Sequence, residues 1–134
     1  MNKLFAVLAF GIMMVSLGTS PGLCDSLDEA GRSAESASGY AGKATYGRNV
    51  EDTKTRSRAV VSASSEARDA AIEARAYRAA DYESQAYDYS RKAAGARTGE
   101  DARFFSKQAA KAAEEAEYSI DSDIAKRKAA QKSK

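Results

Sequence analysis

Histidine and tryptophan are absent from this chain, and cysteine and proline occur once each, at Cys24 and Pro21. Without histidine there is no Ser-His-Asp triad, no imidazole general base and no histidine-containing metal site. One cysteine excludes an intrachain disulfide and a zinc-thiolate cluster. Phosphate-binding glycine loops are missing too: "GYAGKA" (Gly39–Ala44) has neither the spacing nor the terminal Ser or Thr of a nucleotide loop. "DSD" at Asp121–Asp123 is too short for a calcium loop, which needs a glycine and a glutamate at set positions. The carboxylates Glu114, Glu115, Glu117, Asp121 and Asp123 read as a solvated helix face. The expectation is a protein that is not an enzyme, with no catalytic residue, no metal and no cofactor.

Large apolar side chains are scarce as well. After Cys24 there are nine Leu, Ile, Val and Phe residues in 110 positions, against 27 alanines. So few large apolar groups is a composition often found in disordered chains, but its usual companion, high net charge, is missing. The formal charge is +2, and +1 without Lys3. Alanine gives high helix propensity with little burial, so a monomeric core is expected to be marginal.

The one long apolar run is N-terminal. Lys3 precedes "LFAVLAFGIMMVSLG" (Leu4–Gly18), which is of signal-peptide length and short of the ~20 residues a membrane helix needs. Gly22 and Cys24 supply small residues at −3 and −1, which sets the expected cleavage between Cys24 and Asp25 and makes residues 1–24 a signal peptide. Leu23 stands where a lipoprotein signal has a small residue, so lipidation of Cys24 is not expected. The expected location is extracellular, or periplasmic if the source is bacterial, with no integral membrane segment after cleavage.

What remains, residues 25–134, reads as a single all-α region of long Ala-rich helices, with helices expected at about 26–46, 53–96 and 100–128. Leu27, Ala30, Ala34, Ala37, Ala41 and Ala44 recur at alternating steps of three and four, a heptad seam. Ser26 with Glu29 has capping-box spacing, and "GRNVED" (Gly47–Asp52) reads as a loop. The second helix carries Val60, Ala63, Ala67, Ala71, Ala74, Arg78, Tyr82, Ala86, Tyr89, Ala93 and Ala96 on one face. Their mean spacing belongs to a nearly straight rod of roughly 65 Å, and Arg78 is the one misfit. Gly99 ends it, and Thr98 with Asp101 supplies the next N-cap. The basic tail "KRKAAQKSK" is expected to fray. The arrangement expected is a helical hairpin or a three-helix coiled-coil-like assembly.

Small seam residues let helix backbones approach closely at the cost of buried area. The expected helix-association face is therefore Ala30, Ala34, Ala37, Ala41, Ala63, Ala67, Ala71 and Ala74, with self-association or other matrix proteins as partners. Tyrosine is the other prominent residue: Tyr40, Tyr46, Tyr82 and Tyr89 are candidates for adhesion or cross-linking beside their packing role. Acids alternate with bases outside the tail, so nucleic acid is not an expected partner.

In composition the seams resemble the alanine zippers of bacterial outer-membrane lipoproteins, and "SKQAAKAAEEAEYS" (Ser106–Ser119) resembles late-embryogenesis-abundant proteins. The alanine-cored helices also resemble coiled-coil silks and other secreted matrix proteins. Long, thin helices seamed with alanine suggest a spacer or a strand in an assembly, and with these resemblances three functions are open. The first is a secreted structural protein of a matrix, fibre, cement or mineralised layer. The second is a bacterial envelope spacer, and the third a stress protectant.

Overall fold

Alanine propensity is realised almost everywhere: helix is the only regular secondary structure among the described residues of the computed structural model, which are 22–133, with side chains from Asp25 to Ser133. The helices are α1 (Gly22–Thr45), α2 (Val50–Glu73), α3 (Tyr77–Ala94) and α4 (Gly99–Lys132). Consecutive helices pack side by side, α1 closes the ring against α4, and α2 also approaches α4 across the diagonal.

Two buried clusters show the directions. Leu27 and Ala30, early in α1, meet Ala71 and Ala74 at the end of α2, Ala79 at the start of α3 and Ile120 late in α4. Ala41 and Ala44, late in α1, share the other cluster with Val60, Ala86 and Ala113. Successive helices therefore alternate in direction, and the fold is an up-down-up-down four-helix bundle.

The all-α class is as expected, but the rod over 53–96 is two antiparallel helices. The chain reverses at Ala74–Ala76, where Arg75 adopts φ 58°. The Ala76 N–H donates to the Ala71 carbonyl at 2.8 Å and the Arg75 N–H to the Ile72 carbonyl at 3.0 Å. These are the two bonds of a Schellman helix stop, whose left-handed position is usually glycine. Here it is arginine. The usual stop residue is absent, which is why the sequence reads as continuous helix. Arg127 reinforces the turn by donating from Nη2 to the Ala74 carbonyl at 3.1 Å.

The other ends follow simpler rules. Asn49 Oδ1 accepts from the Asp52 N–H at 2.9 Å, so α2 begins at Val50, inside the segment expected to be loop. Thr98 caps α4 as expected, its Oγ1 accepting from the Asp101 N–H at 3.1 Å. Ser26 is not a cap, because α1 already starts at Gly22. Gly47 is required by space: a Cβ there would collide with the Thr53 side chain and backbone. The basic tail continues as helix to Lys132, exposed apart from the half-buried Arg127.

The thin seam sets the spacing of the bundle. Ala30, Ala34, Ala37, Ala41, Ala67, Ala71 and Ala74 are fully buried within the one chain. A Cβ added to Gly31 would come into van der Waals contact with Ile124 Cδ1 at 3.4 Å, so α1 and α4 lie about one methyl group apart there. Each alanine contributes little area, but close approach multiplies dispersion contacts over four helices.

Candidate functional site

The bundle interior is not uniformly apolar. Thr53, Ser57, Ser64, Glu83, Ser90 and Ser106 are all buried. Ser57 Oγ and Ser106 Oγ are hydrogen-bonded at 3.1 Å, joining α2 to α4 across the bundle. Glu83 follows Ala80 of one apolar cluster and precedes Ala86 of the other, and Ser64 lies in the same interval between Val60 and Ala71. The two clusters are thus separated by a layer holding a carboxyl and a hydroxyl.

Glu83 has no exposed surface, and neither of its oxygens has a hydrogen-bond partner; Ser64 Oγ and Ser90 Oγ are also unpartnered. Burial pushes the Glu83 carboxyl up to about 8, because a charge there would lose its hydration. The nearby Ser64 hydroxyl acts in the opposite direction without reaching hydrogen-bond geometry, and the Glu117 carboxylate adds to the rise. Glu83 therefore sits in the core as a neutral acid. A perturbed carboxyl of this kind is often a mark of an active site. Here it is enclosed. The groove between α1 and α2, about 410 Å³, is lined by Glu29, Arg32, Ser33, Ser36, Tyr40, Ala63 and Glu66, and does not include it.

Glu83 is absent from the candidate residues read from the sequence. A single 3.6-residue register carried through residue 75 puts Arg78, Tyr82 and Tyr89 on the inner face. After the Arg75 turn the buried face of α3 is Ala79, Ala80, Glu83, Ala86, Ser90 and Ala93. The misfit at Arg78 was the available signal that the register changes.

On the outside, aromatic rings pair with cations. Arg68 and Arg91 approach the Tyr87 ring from α2 and α3, at 5.6 and 5.7 Å from its centroid. Lys92 lies 5.5 Å from the Tyr89 ring and 5.7 Å from Phe105, and those two rings stack at 6.5 Å. Tyr89 and Tyr82, the latter beside Arg78, are half-buried. Tyr40 is exposed beside Lys43, and Tyr46 is exposed by 83%. The four candidate tyrosines do not form one patch: two are packed between helices and two face solvent.

The residues of the candidate association face lie largely inside the bundle. All of its alanines except Ala63 are buried inside the bundle, and Ala63 is half-buried on the wall of the α1–α2 groove. Their close packing is within one chain. Of the cleavage boundary, Cys24 and Asp25 lie in the first turn of α1, while residues 1–21 of the expected signal peptide fall outside the described residues. Among the described residues, no cluster of acids could hold a metal ion and no helix is long and apolar enough to cross a membrane.

No protein-family model matches the chain, and neither a curated protein nor a solved structure is detectably similar to it.

Proposed function

We propose that this is a non-enzymatic structural protein, exported by its N-terminal apolar segment, whose folded bundles associate in an extracellular matrix, fibre or cement. In this reading the alanine seams build the individual unit, and contacts between units use the outer surface.

The observation that supports it is the position of the aromatic side chains. Tyr46, Tyr118, Tyr77 and Phe104 are exposed by 83, 74, 62 and 55%. A chain with so few large apolar groups leaves several of the largest in water, where they add nothing to its own core. Amphipathic rings in that position suit contact with another surface.

Sedimentation equilibrium of the secreted chain, combined with photo-oxidative tyrosine cross-linking, tests this reading. Concentration-dependent association is expected, with dityrosine-linked multimers that decline in a Tyr46→Phe, Tyr118→Phe double variant. A chain that stays monomeric at millimolar concentration would remove the proposal. So would a chain retained inside the cell.

A further inference from the structure

The outer face of α4 carries an ordered charge pattern. Arg103, Lys107, Lys111, Glu114, Tyr118 and Asp121 follow one another at steps of four, four, three, four and three residues, and all are exposed. At helical spacing they form one continuous outward stripe, cationic in its first half and acidic in its second. Among the described residues, none of the six side chains makes an ion pair, a hydrogen bond or a ring contact.

We infer that this stripe is the contact between two copies of the chain, joined through α4 about a two-fold axis. Lay one α4 antiparallel on another, with the axis passing between Ala112 and Ala113. Lys107 then falls opposite Tyr118 and Lys111 opposite Glu114, while Arg103 falls within one residue of Asp121, and the same three pairs recur on the other side. Every cation faces an acid or an aromatic ring, and no like charges oppose one another. A two-fold contact requires this kind of self-complementarity, in which residue i meets j and j meets i.

A parallel arrangement in register would set each cation against itself. The pattern therefore selects orientation as well as partner. Apolar content flanks the stripe. Phe104 is exposed at its cationic end, and Tyr46 stands beside Lys107 and Lys111 in a groove of about 290 Å³ between α1 and α4. Gly42 lies on the same groove, and a Cβ placed on it would meet nothing within 4 Å.

The inference rests on the associative reading above and names its first contact. One helix face lies near the low end of interface sizes, roughly 1,000 Å², and its ion pairs are solvent-exposed, so the dimer is weak and salt-sensitive.

Sedimentation equilibrium of the full chain at about 20 mM and about 500 mM salt reads this, since screening lengths fall several-fold over that range. The wild type is expected to dimerise at low salt, with Kd rising at least ~10-fold at high salt. Two variants isolate the stripe: Arg103→Glu, Lys107→Glu, Lys111→Glu makes it wholly acidic, and Glu114→Lys, Asp121→Lys makes it wholly basic. Each alone is expected to be monomeric with unchanged helicity, and an equimolar mixture to form a heterodimer at low salt. That rescue also shows both variants to be folded. Wild-type association that neither variant alters would overturn the stripe while leaving the associative function standing. A wild type that is monomeric at both salts would remove both. If it is monomeric but binds heparin through the three cations, they serve a polyanion and the inference falls.

Discussion

Ser57 Oγ lies 3.1 Å from Ser106 Oγ in the interior of the bundle, the two hydroxyls joining the diagonal helices α2 and α4. A serine side chain is only one oxygen larger than alanine's methyl group, so the pair fits where the backbones come close. Either oxygen can donate. Ser57→Ala is expected to cost about 1–3 kcal/mol, because it leaves the Ser106 hydroxyl buried without a partner. Replacing both serines by alanine is expected to cost less than either single change. Chemical denaturation of the four members of the cycle measures the coupling. Additive losses would mean that the hydroxyls contribute independently.

Glu83 makes stability depend on pH in an unusual sense. Its carboxyl is raised to about 8 in the folded chain, from an ordinary value of 4.5. Between these values the folded state holds a proton that the unfolded state has released, so stability falls as pH rises. The contribution is fully present below about pH 4.5 and fully lost above about pH 8. The slope within the window is about 1.4 kcal/mol per pH unit. Glu83→Gln is expected to flatten it and to be more stable than wild type at pH 8. Thermal melts from pH 5 to 9 read this, and parallel curves for the two proteins would refute the buried neutral acid.

Arg75 occupies a left-handed position that disfavours side chains with a Cβ. Arg75→Gly is expected to raise stability by roughly 1 kcal/mol, by relieving the turn while keeping both of its hydrogen bonds. No loss of α2 or α3 helicity should accompany the change. Destabilisation would mean that the arginine side chain contributes more than the strain costs.

Ala71 is fully buried where α1, α2 and α3 meet. Ala71→Leu adds volume to a closed seam and is expected to destabilise the monomer by about 1–3 kcal/mol. The effect should appear in the unfolding of a single chain, independent of protein concentration. A stabilised variant would show that the seam has spare room.

Gly47 is held against Thr53, where any Cβ collides with backbone as well as side chain. Gly47→Ala should therefore displace the start of α2. Hydrogen exchange would show it as faster exchange at Thr53, whose N–H bonds to the Asn49 carbonyl at 3.0 Å. Unchanged protection at Thr53 would mean that the loop absorbs the methyl group.

Much of this protein can be read from its sequence. Alanine content and three-four spacing give helices, the Leu27–Ala44 seam gives the inner face of α1, and Thr98 with Asp101 gives the start of α4. Propensity and capping are local, so local sequence suffices for them. Three features were decided only in the folded chain. The reversal at Arg75 has no glycine to announce it; it is held by the packing of Ala71, Ala74, Ala76 and Ala79 against α1 and α4 and by Arg127 on the Ala74 carbonyl. That reversal shifts the register of α3, which is why Glu83 turns inward and Tyr82 and Tyr89 do not. It also supplies a fourth helix, so the alanine faces find packing partners within one chain. A period of 3.6 residues marks which side chains share a face, but whether that face meets its own chain or a second copy depends on where the backbone turns. A left-handed arginine is stable only when the surrounding helices hold it there.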